Sequence, residues 1–211
     1  MLSVFYSLIR VFRVFRVFRG LSSYGVSMRT ALILIDIQND YFPNGNMELE
    51  GSLEASLRGK EVLASFRDKG LPVFHIQHLS VRPGATFFLP NTEGVNIHDN
   101  VQPLPGEVVI QKYYPNSFRE TPLLDELKKA QIRQVVLCGM QTHMCVDATV
   151  RAAFDYGLKC TVLHDACATR ELAFQAQIIP AAHVHASFLA ALNGVYAQVM
   201  SVAEFLSNFQ K

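Results

Sequence analysis

Short apolar runs recur along the chain and are separated by segments of mixed polarity. The first run, residues 31–35, is entirely aliphatic and ends at Asp36. Further strand-like runs lie at 71–77, 107–111, 133–138, 159–164 and 195–199. Strands that are buried on both faces are continuously apolar, as the strands of parallel sheets are. The pattern therefore predicts a parallel sheet with the first run near its centre.

Helices are predicted between these strands. Residues 53–69 carry apolar side chains at helical spacing and stop at Gly70, and residues 121–129 have proline in the first turn and lysines at the end. Further helices are predicted up to residue 156, over 172–192 with an interruption at Pro180, and over 202–209. The alternation indicates an α/β fold, a three-layer Rossmann-like arrangement of a roughly six-stranded parallel sheet with helices on both faces.

Residues 79–106 form a long connection that is rich in glycine and proline and has Phe87 and Phe88 at its middle. A loop of this length within a compact domain usually has a function, such as closing over a site.

Residues 1–28 are predicted to be a basic extension and residues 29–211 the domain. The extension contains an Arg-Val-Phe repeat with arginines at 10, 13, 16 and 19, and it has no acidic residue. Three interpretations stay open: a mitochondrial targeting peptide, a cationic helix on a membrane surface, and an over-extended start before Met28. We therefore expect a mitochondrial protein if the extension is real and a cytoplasmic one otherwise.

The composition limits the possible partners. With 211 residues, half of them hydrophobic, the chain can bury one full core. Outside residues 1–29 there are 14 basic and 18 acidic residues, so no basic patch suggests a nucleic-acid partner. No apolar run reaches the length of a membrane span. The four cysteines form no CxxC pair, and three lie in or beside apolar strands, which indicates reduced thiols rather than a disulfide framework.

Cys145 lies in a turn between a predicted strand and a predicted helix. We expect the hydroxyl of Thr142 to cap that helix, which places Cys145 in its first turn. Unpaired backbone N–H groups and the helix dipole there favour a thiolate, the form in which cysteine is a nucleophile. The alternative is that Cys145 is a small buried hydrophobic residue.

Asp36 and Lys112 each follow an apolar strand, as Cys145 does. In open α/β sheets, ligands bind beyond the carboxyl ends of the strands, so these side chains are expected at one edge. A buried thiolate needs a cation beside it and a carboxylate to accept its proton. Alternatively, Asp36 binds loop backbone, Lys112 is a surface charge and Cys145 fills the core.

Two motifs carry a family resemblance. Leu34-Ile-Asp36-Ile-Gln38-Asn-Asp40 and Gly139-Met-Gln-Thr142-His-Met-Cys145-Val146, with Lys112 between them, resemble the isochorismatase-like cysteine hydrolases. That family includes nicotinamidases, N-carbamoylsarcosine amidases and ureidoacrylate amidases, and the similarity covers about residues 29–200. The resemblance implies a homo-oligomer.

The resemblance also implies roles for individual residues. Cys145 would be the nucleophile, Asp36 the general base and Lys112 the cation that stabilises both. A cis peptide bond would precede Gln141, and the N–H groups of Gln141 and Cys145 would form an oxyanion hole.

Departures from the family pattern narrow the substrate class. The histidines and aspartate that hold the nicotinamidase metal are not matched, so neither a metal nor another cofactor is expected. Isochorismatases that cleave a vinyl ether lack the cysteine. The remaining reaction is hydrolysis of a small amide, ureido compound or imide through a thioester. Candidate substrate-binding residues are Phe42, Phe88, Tyr113, Phe118 and His143, although the aromatic ones fit the core equally well.

Two other functions stay open. The chain could be a catalytically idle scaffold or ligand-binding member of the same fold. It could also be a redox-sensing thiol protein, which requires Cys145 and Cys167 within disulfide reach. Cys167 follows the fifth predicted strand and is the rival nucleophile, whereas Cys138 and Cys160 are predicted to lie in the core.

Overall fold

The computed structural model describes residues 29–209. The basic extension and its three interpretations lie outside this range. The strands of the described chain are β1 (Arg29–Ile35), β2 (Val73–His78), β3 (Val108–Lys112), β4 (Ile132–Met140), β5 (Lys159–Ala168), β6 (Leu172–Phe174), β7 (Gln177–Ile179) and β8 (Gln198–Met200). The α-helices are α1 (Ser52–Asp68), α2 (Leu123–Lys129), α3 (Asp147–Asp155), α4 (Ala181–Leu192) and α5 (Val202–Phe209).

Six strands form the central sheet in the order β3-β2-β1-β4-β5-β8, and all neighbours are parallel. This confirms the predicted α/β class and the six-stranded sheet. The chain adds strands to one side of β1 as far as β3 and then returns to place β4 on its other side. The strand order therefore reverses between β1 and β4, and such a switch point is where open α/β sheets bind ligands.

Helices cover the sheet because its central strands are apolar on both faces. Residues 31–35 of β1 are almost completely buried, as the continuous aliphatic run predicts. Helix α1 packs against α5 and against β1, β4 and β5. Helix α2 contacts β4, and α3 contacts β5 and α4. Within residues 29–209, no helix combines the length and apolarity that crossing a bilayer requires.

The prediction of a helix over residues 172–179 is wrong. This segment is an antiparallel hairpin of β6 and β7, in which Phe174 pairs with Gln177 across a two-residue turn. Gln175 adopts a positive φ of 54° in that turn. Pro180 then precedes α4, and a proline disfavours helical backbone in the residue before it. The helix consequently begins only at Ala181.

A polar network ties α1 to the sheet. Arg67 Nε lies 2.7 Å from Glu107 Oε1, and His75 Nε2 lies 2.9 Å from Glu107 Oε2. The backbone N–H of Leu104 donates to the same carboxylate. These donors, Arg67 foremost, lower the pKa of Glu107 to about 2. Burial lowers the pKa of His75.

We expect this network to contribute pH-dependent stability. Because the pKa of Glu107 is lower in the folded state, its contribution is present above the unfolded value of 4.5 and is lost as pH falls toward 2. Glu107→Gln should therefore destabilise the protein at neutral pH and flatten its stability profile between about pH 5 and pH 2 by on the order of 2 kcal/mol. Urea denaturation across pH measures this. Glu61→Gln, which breaks an exposed pair with Arg58, is the control. Parallel profiles for wild type and Glu107→Gln would contradict the expectation.

Candidate active site

The structure brings Asp36, Lys112 and Cys145 together at the switch point. Asp36 follows β1, Lys112 ends β3, and Cys145 lies in the turn after β4. Asp36 and Lys112 are 0% exposed and Cys145 is 3% exposed. Lys112 Nζ lies 2.7 Å from Asp36 Oδ2. The Cys145 sulfur lies within 4.8 Å of the Asp36 carboxylate, and both Asp36 and Lys112 act on the pKa of its thiol.

Local backbone geometry positions this group. Asp36 leaves β1 with a positive φ of 50°. Gly139, with a φ of 131°, passes so close to β1 that a Cβ atom there would lie 2.0 Å from the Ile35 carbonyl oxygen. Only glycine permits this approach of β4 to β1. The peptide bond from Met140 to Gln141 is cis.

The cysteine turn differs from the expected helix start. Residues Thr142–Val146 form a π-helical turn, and α3 begins only at Asp147. The predicted capping role of Thr142 is wrong, because its hydroxyl donates to the Ala168 carbonyl at 3.2 Å and contacts His185 Nδ1 at 2.9 Å. Thr142 therefore ties the turn to β5 and α4.

The electrostatics also differ from the expectation of a resting thiolate. Burial, and next the Asp36 carboxylate, raise the pKa of the Cys145 thiol, and Lys112 opposes them only in part. For Lys112, burial disfavours the charge, but the attraction of Asp36 and Cys145 outweighs it and raises the pKa of the amine. These two shifts favour a neutral thiol beside a charged ammonium in the resting protein.

Lys112 is held by further acceptors. Its Nζ donates to the carbonyl oxygens of Tyr114 at 3.1 Å and Pro115 at 3.0 Å, and it lies 3.3 Å from His78 Nδ1. These contacts fix the ammonium between the carboxylate and the sulfur.

A cavity of about 390 Å³ opens onto Cys145. It is lined by Tyr41, Met47, His78, Ser80, Val81, Arg82, Phe87, Tyr113, Tyr114, Pro115, Gln141, Met144, Cys145 and Arg170. Two larger open grooves in the described chain contain none of the three central residues. The cavity is therefore the pocket that offers a ligand access to the thiol.

The candidate substrate-binding residues are distributed unevenly around this cavity. Tyr113 lines it and is 48% exposed. Phe88 is buried behind the cavity against Tyr41 and Phe87. The other three candidates lie elsewhere: Phe42 stacks on His98, Phe118 packs on Tyr156, and His143 Nδ1 bonds Thr169.

Sequence reasoning missed the three basic residues of the cavity wall, His78, Arg82 and Arg170. His78 ends β2 and Arg170 follows β5. The strand-end rule that selected Asp36 could have selected both. Arg82 belongs to the long connection after β2. Residues 80–82 and 87 of this connection line the cavity, which agrees with the prediction that so long a loop closes over a site.

Donor atoms of Asp36, His78 and Cys145 lie within 4.8 Å of one another. Such a set could in principle ligate a metal ion. The Lys112 ammonium, however, contacts all three side chains, and its charge repels a cation. The arrangement therefore suits proton transfer better than metal binding.

Cys167, the rival nucleophile, has different surroundings. It pairs with Gly139 in the register of β4 and β5, and burial raises the pKa of its thiol to about 12. It borders a separate groove with Glu50, Glu54 and His185. All four cysteines are free.

Comparisons with known proteins point to one family. The model of the Isochorismatase domain matches residues 30–204. An uncharacterized isochorismatase family protein of Bacillus subtilis is 52% identical over 179 residues, which are 85% of this chain and 99% of that protein. A crystal structure of an isochorismatase from Pseudomonas putida superposes with a TM-score of 0.78 at 36% identity, covering 83% of this chain and 89% of that one.

A more distant relative has a named activity. The ureidoacrylate amidohydrolase RutB of Cronobacter sakazakii is 28% identical over 171 residues, which cover 65% of this chain and 74% of that protein. The family match spans nearly all of the described residues, and the fold superposes on that of the solved relative. This chain belongs to the isochorismatase family of hydrolases.

Proposed function

We propose that the protein hydrolyses a C–N bond of a small amide, ureido compound or imide, with Cys145 as nucleophile, Asp36 as proton carrier and Lys112 as the stabilising cation. The observation that carries this proposal is the buried ion pair between Lys112 and Asp36, 2.7 Å apart, beside the Cys145 thiol. A buried charge pair of this kind is costly to maintain for structure alone.

Acylation begins when substrate enters the cavity. The Asp36 carboxylate removes the thiol proton as the sulfur attacks the carbonyl carbon, and the carbonyl π pair moves to oxygen. The tetrahedral intermediate collapses when that pair re-forms the C=O bond and the C–N bond breaks. Protonated Asp36 gives its proton to the departing nitrogen. A thioester on Cys145 and a free amine or amide result.

Deacylation repeats these steps with water. Asp36, again a carboxylate, takes a proton from water as its oxygen attacks the thioester. The C–S bond then breaks, the acid is released, and Asp36 returns its proton to sulfur. Lys112 stays charged throughout and stabilises the anionic charge that moves between carboxylate and sulfur.

The oxyanion needs donors of its own. We assign this role to the backbone N–H groups of Gln141 and Cys145, in the turn beside the sulfur. Gln141 is buried, and its carbonyl accepts from the backbone N–H groups of Met144 and Val146, which holds the turn in place. Removal of such a donor typically lowers the rate by on the order of 10²–10³.

The cavity suits a small substrate with an apolar body and an anionic or strongly polar end. Aromatic side chains supply the apolar wall, and Arg170 brings a guanidinium whose Nε is buried without a partner in the described chain. No aspartate or glutamate lines this cavity. The name of the RutB relative, a ureidoacrylate amidohydrolase, is consistent with a substrate of this kind.

Asp36→Asn tests the proposed roles because two readouts should move in opposite directions. The carboxylate raises the pKa of the Cys145 thiol, so its removal beside Lys112 lowers that pKa and increases the thiolate fraction. We expect faster alkylation of Cys145 by iodoacetamide near neutral pH, but hydrolysis lower by about 10³-fold or more because the proton carrier is lost. Intact-mass spectrometry and NMR detection of acid released from a panel of small amides, ureido compounds and imides give the two rates.

A catalytically idle member of the fold would behave differently. Wild-type protein would hydrolyse nothing in the panel, and Asp36→Asn would change only the alkylation rate. That result would reject the hydrolase and leave the scaffold interpretation.

A further inference from the structure

His78 lies beside the three catalytic candidates, but the mechanism above gives it no role. Its Nδ1 is 3.3 Å from Lys112 Nζ and 3.8 Å from Asp36 Oδ2. Its side chain is 16% exposed, and it forms part of the cavity wall. A substrate that reaches Cys145 therefore passes this imidazole.

The position of His78 is fixed from two sides. Gln38 Oε1 accepts from the His78 backbone N–H at 2.7 Å, and Gln38 Nε2 donates to the His78 carbonyl at 2.9 Å. His78 also pairs with Lys112 in the register of β2 and β3. The ring is thus presented to the cavity by a rigid strand end.

Lys112 determines where the imidazole carries its proton. An ammonium has donors only, and it lies 3.3 Å from Nδ1, so its charge favours the tautomer in which the Nδ1 lone pair faces it. We therefore assign the proton to Nε2. Burial lowers the pKa of His78, with Lys112 and Arg82 adding to the effect against Asp36, which favours the neutral ring. Nε2–H has no hydrogen-bond partner between residues 29 and 209, so it is free to donate to a ligand.

The proposed mechanism places the departing group on the side of the cavity that His78 occupies. Asp36 gives its proton to the leaving nitrogen, and the imidazole adjoins that carboxylate. A substituent on the nitrogen consequently lies next to His78. Arg82, which also lines the cavity and acts on the charge of His78, adds a second donor group there. The side chains of His78 and Arg82 can therefore donate N–H groups to a ligand here, and neither presents an acceptor to it.

We propose that His78 and Arg82 form a leaving-group subsite that selects substrates whose scissile nitrogen carries a second acyl group or a carboxylate-bearing carbon, as in imides, N-acylureas and N-acyl amino acids. This inference rests on the proposed hydrolase function. His78 Nε2–H donates to an oxygen of that group, and Arg82 complements its charge. An N-alkyl amide leaves the donor unpaired and is the poorer substrate.

Two substitutions of His78 distinguish the roles of its two ring nitrogens. In His78→Asn, the amide oxygen can take the place of Nδ1 and keep the Lys112 contact, but the donor at the Nε2 position is lost. In His78→Gln, the longer side chain can place an amide N–H at the Nε2 position. His98→Asn is the matched control, since His98 stacks on Phe42 outside the cavity.

The measurement compares kcat/KM for an imide and an N-alkyl amide that share the same acyl group. The intrinsic reactivity of the two substrates cancels when the ratio of their kcat/KM values is compared between variants. We expect this ratio to fall by about 10–100-fold in His78→Asn, to fall less in His78→Gln, and to stay at the wild-type value in His98→Asn. The rate of Cys145 alkylation by iodoacetamide should not change in His78→Asn.

Two results would overturn the subsite while leaving the hydrolase intact. One is an unchanged ratio in His78→Asn. The other is an equal loss on both substrates together with altered alkylation, which would mean that His78 acts only through Lys112. If wild-type protein hydrolyses neither substrate nor any other compound of the panel, the proposed function fails, and the subsite fails with it.

Discussion

Cys145→Ala should abolish hydrolysis, lowering kcat/KM by on the order of 10⁴-fold or more, as loss of a covalent nucleophile does. The substitution removes the only sulfur that contacts both Asp36 and Lys112 within the described residues. The fold should persist, because the side chain is small and alanine leaves no unpaired polar atom in its place. Steady-state kinetics measure the loss of activity, and thermal denaturation of the same preparation shows whether the fold persists.

Cys167→Ala is the matched control for this experiment. Cys167 is buried at the same edge of the sheet, but it borders a different groove and contacts neither Lys112 nor Asp36 among its polar neighbours. We expect its loss to change kcat/KM by no more than about threefold. A protein that retains activity as Cys145→Ala and loses it as Cys167→Ala would reverse the assignment.

Lys112→Met should produce the largest loss of stability. Methionine has nearly the same length, but it leaves the Asp36 carboxylate fully buried without its cation, and no backbone N–H donates to that carboxylate. Breaking a buried ion pair by removing one partner costs about 3–5 kcal/mol of unfolding free energy. Urea denaturation near pH 7 measures the change, and hydrolysis should be lost as well.

A second substitution shows whether the stability lost in Lys112→Met comes from the unpaired charge or from altered packing. In Lys112→Met combined with Asp36→Asn, no buried charge remains, so most of the lost stability should return while activity stays absent. Lys129→Met, which removes a 79% exposed lysine near Glu126, is the surface control and should change stability by about 0.5 kcal/mol or less. A double variant no more stable than Lys112→Met would show that the unpaired carboxylate is not the cause of the loss.

Some of the site could be predicted from sequence because parallel strands end at one edge. The aliphatic run at 31–35 becomes β1, and the residue after it, Asp36, lies where the strand-end rule expects it. The contact of Asp36 with Lys112 does not follow from spacing. β2 lies between their strands, and only the length and burial of the lysine side chain bring its Nζ to the carboxylate.

Other features depend on tertiary structure. His75 and His78 are three positions apart on β2, so they face opposite sides of the sheet, and one bonds Glu107 while the other reaches the cavity. An aromatic residue next to a catalytic motif in sequence need not line the cavity. Phe42 follows the Asp36 motif closely, but its ring stacks on His98 outside the cavity. The hairpin of β6 and β7 was missed because its turn, Gln175-Ala176, lacks the glycine or asparagine that usually indicates one.

The central claim is a covalent thioester on Cys145. It is tested most directly by mixing the protein with excess substrate, quenching in acid during turnover, and measuring intact mass and peptide masses, with a parallel reaction in hydroxylamine. The account predicts an added acyl group on the peptide that contains Cys145, diversion of product into the hydroxamate, and neither signal in Cys145→Ala. Turnover with an unmodified protein mass and no hydroxamate, or an acyl group on Cys167, would contradict it.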